Sequence, residues 1–190
     1  MIGLAMPYCL MAQSPGNVSG NLKLWLKANS GVQGATPVSG WLDQSAAGND
    51  ATVVSNGPDL LSDQINFNDA LDFTRTNSEY LQITNGIFGN ASLTNIWVYY
   101  ISKPNATNQR TTICFEELTG TNEYFTGLNA WENGNAFLDF GNTASGGRLT
   151  GNAGTAAGFY NMWTMGSSST MATPNGTNKT IYRDGLAVLS

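Results

Sequence analysis

The clearest indication of the fold comes from two neighbouring stretches, Gly20-Asn-Leu-Lys-Leu-Trp-Leu-Lys-Ala-Asn-Ser-Gly-Val32 and Val38-Ser-Gly-Trp-Leu-Asp-Gln-Ser-Ala-Ala-Gly-Asn-Asp-Ala-Thr52. In the first stretch, leucines alternate with Lys and Trp from Leu22 to Lys27. Alternation with a period of two is typical of a β-strand, so we predict a strand over these residues. In the second stretch, Trp-Leu-Asp runs into a Gly and Asn turn, which predicts a strand near Gly40 to Asp43.

The rest of the chain repeats this pattern of short β-rich runs separated by turns. Gly, Asn and Ser interrupt it roughly every eight to twelve residues, which is the spacing of strands in a β-sandwich. We therefore predict an all-β fold, with further strands near residues 70–74, 79–83, 93–102, 111–116, 124–128, 136–141, 147–149, 160–165 and 177–189. The polar intervals 31–39 and 105–109 are predicted to be surface loops.

The register of two hairpins can also be predicted. If Asp184-Gly185 forms a two-residue type I′ turn, the opposite pairs are Arg183 with Leu186, Tyr182 with Ala187 and Ile181 with Val188.

In the second hairpin, Phe137-Leu-Asp-Phe140 returns through a Gly-rich turn to Arg148-Leu149. A register that places Leu138 opposite Leu149 also places Asp139 opposite Arg148 on the other face of the sheet, flanked by aromatic residues.

These stretches, together with the hairpin Thr180-Ile-Tyr-Arg-Asp-Gly-Leu-Ala-Val188, resemble the laminin-G-like domains of the concanavalin A-like lectin/glucanase superfamily, as found in secreted bacterial surface proteins. The resemblance covers roughly Gly20 to Ser190. It implies a two-sheet antiparallel jelly-roll sandwich (concanavalin A-like) forming one domain over residues 14–190. In this family further strand follows the last hairpin, so the domain is expected to be C-terminally incomplete and to lack its final strand or strands.

Composition excludes several classes of partner. The chain has 13 acidic and 8 basic residues, no His and no cluster of Lys and Arg, so we expect no binding to nucleic acid or to an anionic membrane. Only 11% of its 190 residues are charged, and the abundance of Asn, Gly, Ser and Thr is typical of a secreted β-protein.

The apolar run over residues 1–13 is expected to be part of a secretory signal peptide, cleaved near Ala12 or Gln13, with a buried N-terminal strand as the alternative. It is too short to cross a bilayer, so no membrane insertion is expected and the protein is predicted to be secreted, extracellular or on the cell surface. Cys114 is then the single Cys of the mature chain, and its β-rich surroundings predict a buried, inert thiol.

Catalysis is not expected. The retaining glucanases of this superfamily carry Glu-x-Asp-x-x-Glu on one strand, which presents two carboxylates to one cleft, and that motif is absent. Glu116 and Glu117 are adjacent and would point to opposite faces of a strand. An atypical glycoside hydrolase or polysaccharide lyase of the same fold remains the enzymatic alternative, and it would need two carboxylates in one cleft.

Calcium is the one cofactor for which the sequence contains candidate ligands. Asp43, Asn49 and Asp50 bracket a Ser-Ala-Ala-Gly turn, and hard oxygen ligands around such a turn suit Ca²⁺. The alternative is that these side chains cap the turn through hydrogen bonds to its own backbone.

Aromatic residues are the strongest candidates for ligand binding. Trp131 lies in Asn129-Ala-Trp-Glu-Asn-Gly-Asn135, where almost every neighbour is polar, whereas Trp25, Trp41, Trp97 and Trp163 are assigned to the core. With Asn129, Asp139 and Arg148, Trp131 could stack on a sugar ring and hydrogen-bond its hydroxyls. We predict a non-catalytic carbohydrate-binding or adhesion module that binds a glycan or cell-surface polysaccharide beside other domains of a larger parent protein, or alternatively a purely structural spacer.

Overall fold

A computed structural model of the chain describes residues 14–18, 20–84, 87, 95–106, 113–116, 123–128, 131–140, 147–168 and 178–190, with the backbone alone at 115–116, 123–126, 128 and 132. The chain is all-β, and its strands pair antiparallel within every sheet. The described strands are β1 (Val32–Gly34), β2 (Val38–Trp41), β3 (Ala51–Val53), β4 (Asp59–Ile65), β5 (Asn68–Asp72), β6 (Leu81–Gln82), β7 (Ile96–Ser102), β8 (Ile113–Glu116), β9 (Glu123–Leu128), β10 (Asn135–Asp139), β11 (Arg148–Asn152), β12 (Asn161–Ser167), β13 (Lys179–Arg183) and β14 (Leu186–Leu189). Short 3₁₀ turns lie at Pro15–Asn17, Arg75–Asn77 and Glu132–Gly134.

The strands belong to two compact units, Met1–Gly89 and Asn90–Ser190. In the first unit, one sheet has the order β1-β2-β3-β6, and β4 pairs with β5 as a separate hairpin. The expected single domain over residues 14–190 stays a prediction, because compactness alone does not decide whether two units fold separately. The predicted leader over residues 1–13 lies outside the described residues.

The second unit is a sandwich of two four-stranded sheets, ordered β11-β10-β9-β8 and β14-β13-β12-β7. Leu138 of the first sheet and Trp163 and Met165 of the second are fully buried. A Cβ on Gly127 of β9 would lie 2.9 Å from the sulfur of Met165, so the two sheets approach closely there. The burial of Trp163 confirms its assignment to the core.

The β13–β14 hairpin follows the predicted turn. Asp184 and Gly185 have φ of 52° and 81°, and two positive φ values define a type I′ turn. The predicted pairs Arg183 with Leu186 and Tyr182 with Ala187 are both confirmed. The third pair is wrong, because a register shift beyond Tyr182 places Ile181 opposite Leu189 rather than Val188.

The stretch from Leu22 to Lys27 is not a strand, contrary to the prediction. Lys27 forms one isolated bridge with Ser30, and residues 22–26 belong to no ladder. The N–H of Trp25 donates to a side-chain oxygen of Asp43, and its carbonyl accepts from the N–H of Gln44. A loop therefore supplies the hydrogen-bond partners that a neighbouring strand would otherwise give to the backbone of Trp25.

Several strands and exposures also differ from the predictions. β1, β3 and β4 were not predicted, and the interval 31–39, expected to be a loop, contains β1 and the start of β2. Cys114 is exposed rather than buried. Trp97 is 43% exposed rather than in the core, because it lies on the outer face of β7.

Candidate glycan-binding face

The candidate site begins with the alternation of side chains along β10. Ala136 and Leu138 are fully buried in the sandwich, so Phe137 and Asp139 belong to the opposite, outer face of the sheet. The register of β10 with β11 is the predicted one, with Leu138 opposite Leu149 and Asp139 opposite Arg148. The predicted pairing of an acid with an arginine on one outer face is thereby confirmed.

Asp139 and Arg148 form a bidentate ion pair. Nε of Arg148 donates to Oδ1 of Asp139 at 2.6 Å, and a terminal nitrogen of Arg148 donates to Oδ2 at 2.7 Å. The side chain of Asp139 is 1% exposed and that of Arg148 is 43% exposed. A buried carboxylate is tolerated when it is paired in this way, and the planar guanidinium suits the two parallel hydrogen bonds. The pair also leaves part of the Arg148 side chain accessible to solvent.

Two aromatic rings continue from the ion pair. The Arg148 guanidinium carbon lies 5.1 Å from the centre of the Phe137 ring, within the range of a cation–π contact. The centres of the Phe137 and Trp131 rings are 4.9 Å apart, at an interplanar angle of 63° that places one ring edge against the other ring. We call Trp131, Phe137, Asp139 and Arg148 the hairpin cluster.

Trp131 is held by the loop that leads into β10. Its N–H donates to the carbonyl of Asn135, and its carbonyl accepts from the N–H of Gly134. Asn133 and Gly134 have positive φ values of 70° and 74°, which turn the chain sharply between those bonds. The amide of Asn152 then ties this turn to β11 by donating to the carbonyl of Asn133. These hydrogen bonds fix the backbone that carries the half-buried indole.

The structure therefore brings together three of the four residues predicted to bind a glycan, namely Trp131, Asp139 and Arg148. The fourth, Asn129, lies outside the described residues. Phe137, which connects Trp131 to Arg148, is not among the four predicted residues. The available signal was its position two residues before Asp139, since residues i and i+2 of a strand share a face.

The predicted calcium ligands form a different kind of arrangement. Oδ1 of Asp43 accepts from the N–H groups of Trp25 and Ser45, and Oδ2 accepts from the hydroxyl of Ser45 and the N–H of Asn49, at 2.6–2.9 Å. Four donors fill the four acceptor positions of a carboxylate. Asp50 accepts from the N–H of Asp43, and the Asn49 amide donates to the carbonyl of Lys23.

This arrangement does not fit a cation, because a calcium ion would have to displace donors from Asp43. Among the described residues, no group of three His, Cys, Asp or Glu side chains could hold a metal ion. Calcium at this loop stays a prediction, and the geometry present matches the alternative in which the acids cap the turn.

Hydrogen bonding controls the acidity of Asp43. Partial burial by itself raises the pKa of this carboxyl, but the hydroxyl of Ser45 and the N–H groups of Asn49, Ser45 and Trp25 stabilise the charged form more strongly. The net pKa of Asp43 therefore lies below its ordinary value of 3.8.

No protein-family model matches this chain, and neither a curated protein nor a solved structure matches it. The laminin-G-like resemblance therefore stands on the motifs of the sequence alone. Within the part of the chain that the structure describes, no helix is long and apolar enough to cross a membrane.

Proposed function

We propose that this chain is a non-catalytic carbohydrate-binding or adhesion module of a secreted or cell-surface bacterial protein, built as a laminin-G-like jelly roll. The observation that carries the proposal is the hairpin cluster, in which two aromatic rings adjoin the 43% exposed side chain of Arg148 on one outer sheet face. Its ligand would be a glycan or cell-surface polysaccharide, and other domains of a larger protein would place it there.

The chemistry of the cluster suits a sugar. Pyranose rings carry apolar C–H faces and polar rims, so they bind where an aromatic surface adjoins hydrogen-bond donors. Trp131 and Phe137 supply the aromatic surface, and Arg148 supplies donors in a fixed plane. Thr150, which is exposed on the same face of β11, adds a hydroxyl beside these rings.

The same face gives little support to a hydrolase or lyase. A general acid or base must exchange a proton with substrate, and both oxygens of Asp139 are already engaged by Arg148. Glycoside hydrolysis also needs a second carboxylate at a defined separation across one cleft. The proposal is therefore a binding function.

One observation favours a purely structural spacer instead. The ion pair closes on itself and Phe137 packs on both Trp131 and Arg148, so the cluster could serve only to fasten β10 to β11. The two alternatives differ in what the loss of Trp131 would do. A spacer loses stability alone, whereas a binding module also loses affinity.

The test is a glycan array with the full chain, followed by titration of any bound glycan to wild type, Trp131→Ala and Arg148→Ala. Tyr80→Ala is the matched control, because Tyr80 is an aromatic residue 46% exposed in the first unit. We expect Trp131→Ala to weaken binding by about 1–3 kcal/mol and to lower the free energy of unfolding by about 1–2 kcal/mol, since its ring is half-buried. The absence of any bound glycan would favour the spacer, and unchanged affinity in both cluster variants would show that the glycan does not bind at the hairpin cluster.

A further inference from the structure

A second group of side chains lies on the outer face of the other sheet. Along β7, Trp97, Tyr99 and Ile101 alternate toward that face and are 43%, 68% and 55% exposed. β12 pairs with β7 and places Met162 opposite Ile101, where it is 43% exposed. We call these four residues the β7 platform. Exposed apolar residues are ordinary when scattered, but a contiguous row on one sheet face is a feature of a binding surface.

The indole of Trp97 lies over Gly166. These residues are directly opposite each other on β7 and β12, and a Cβ on Gly166 would overlap three carbons of the indole. The ring therefore lies against the sheet in a place that only glycine leaves open. Glycine inside a strand costs about 0.5–1 kcal/mol relative to alanine, and it often marks a close approach of this kind. The remaining ring surface faces outward, as the exposure of Trp97 requires.

The platform carries no charge. Thr164 and Gly166 of β12 and Thr180 and Tyr182 of β13 share its face and are uncharged. Charged side chains adjoin only its ends, among the described residues. Lys103 follows β7 and lies over the Tyr160 ring, and Asp184 sits in the β13–β14 turn and accepts the N–H of Met162.

We infer that the β7 platform binds an uncharged polysaccharide chain, which lies along β7 and stacks on Trp97 and Tyr99. Residues two apart on a strand are about 7 Å apart, so consecutive rings could meet neighbouring sugars. The platform is small for a protein partner or a second copy of this chain. Even at about 250 Å² each, four side chains that are 43–68% exposed offer roughly 500 Å², which is less than the roughly 800 Å² that each partner buries in a standard interface.

This inference goes beyond the proposed function, because the β7 platform shares no residue with the hairpin cluster. Glycan binding at the hairpin cluster and polysaccharide binding at the β7 platform can therefore be tested and refuted independently. The test is affinity electrophoresis of the full chain through gels that contain hydroxyethyl cellulose, galactomannan or dextran, with alginate as the anionic comparison. Four variants are compared with wild type: Trp97→Ala, Tyr99→Ala, Gly166→Val and Trp131→Ala.

We expect retardation in at least one neutral gel and less in alginate. Trp97→Ala and Tyr99→Ala should each weaken retardation at least fivefold, while Trp131→Ala keeps most of it. Gly166→Val is the sharpest variant, because it retains every aromatic residue but pushes the indole off the sheet. Its retardation in the neutral gels should be weakened as much as that of Trp97→Ala. Thermal unfolding checks that each variant is folded, and Tyr99→Ala, whose residue is the most exposed, remains informative if the other two unfold.

Three results would overturn the inference. The first is no retardation of wild type in any neutral gel. The second is equal retardation of wild type and Tyr99→Ala. The third is a change from dimer to monomer in Trp97→Ala or Tyr99→Ala on size-exclusion chromatography, which would identify a second copy of the chain as the occupant.

Discussion

Asp43 and Asp139 are two acids whose carboxylate oxygens all accept hydrogen bonds, and they differ in which groups donate them. Asp43 accepts four hydrogen bonds from uncharged donors, three of them within six residues along the chain. Asp139 is engaged by one cation, Arg148, on the neighbouring strand. The carboxylate of Asp43 stabilises the conformation of a loop by accepting hydrogen bonds from it. That of Asp139 fixes a guanidinium beside aromatic rings, where the proposed glycan would meet it.

The largest effect that would test this comparison is expected from Asp43→Asn. The amide keeps one acceptor oxygen and turns an NH₂ group toward donors, so at least two of the four hydrogen bonds are lost. Hydrogen bonds to a charged group contribute about 1.5–3 kcal/mol each, and the site is partly exposed. We expect urea denaturation to show a loss of about 3 kcal/mol. A loss below about 0.5 kcal/mol would mean that the loop does not depend on Asp43.

Arg148→Ala is expected to have the next largest effect. It leaves the buried carboxylate of Asp139 without its cation, which costs about 3–5 kcal/mol for a fully buried pair. Because Arg148 is 43% exposed, water can reach the vacated position and we expect about 2 kcal/mol. The double variant Asp139→Asn with Arg148→Gln should recover part of that loss. Equal stabilities of the single and double variants would show that the charges do not interact.

Asp43 also makes the stability of the chain depend on pH. The pKa of Asp43 in the folded chain lies below its ordinary value of 3.8, so its stabilisation is complete above that value and is lost as the pH falls through the folded-state pKa. Wild type should therefore lose stability on acidification below about pH 4 more steeply than Asp43→Asn. Parallel curves would show that Asp43 has the same pKa in the folded and unfolded chain.

The smallest effect is expected from calcium. Since donors occupy both oxygens of Asp43, adding millimolar Ca²⁺ should leave the melting temperature of the full chain unchanged, and a chelator should do the same. Magnesium serves as the matched control. A calcium-specific rise that Asp43→Asn abolishes would show that the loop rearranges around the ion. Asp43 would then act as a ligand-binding acid as well as a residue that holds its loop.

Local patterns in the sequence were sufficient where the chain turns back on itself. Asp184-Gly185 specifies a two-residue turn, and that turn sets the first two pairs of its hairpin. Likewise the alternation around Leu138 and Leu149 set the register that brings Asp139 to Arg148. In both hairpins the partners are close along the chain, so few registers compete.

The same patterns were insufficient where the partner is distant. Leucines do alternate with other residues from Leu22 to Lys27. Alternation predicts which side chains share a face, but it does not predict which segment of the chain will hydrogen-bond to that backbone. Here the loop that contains Asp43 hydrogen-bonds to the backbone of Trp25, where a paired strand was expected. Trp97 was misassigned for a related reason, because an apolar strand does not reveal which of its two faces the second sheet covers.

Local sequence patterns alone are enough to predict the all-β class, the turn of the β13–β14 hairpin and the pairing of Asp139 with Arg148. Each depends on the two-residue period of a strand and on turn chemistry, which act over a few residues. Three other features follow from tertiary packing: Asp43 accepts four hydrogen bonds, Phe137 links Trp131 to Arg148, and Trp97 lies over Gly166. Those outcomes depend on which surfaces are covered when sheets and loops pack, and packing joins residues that no local pattern connects.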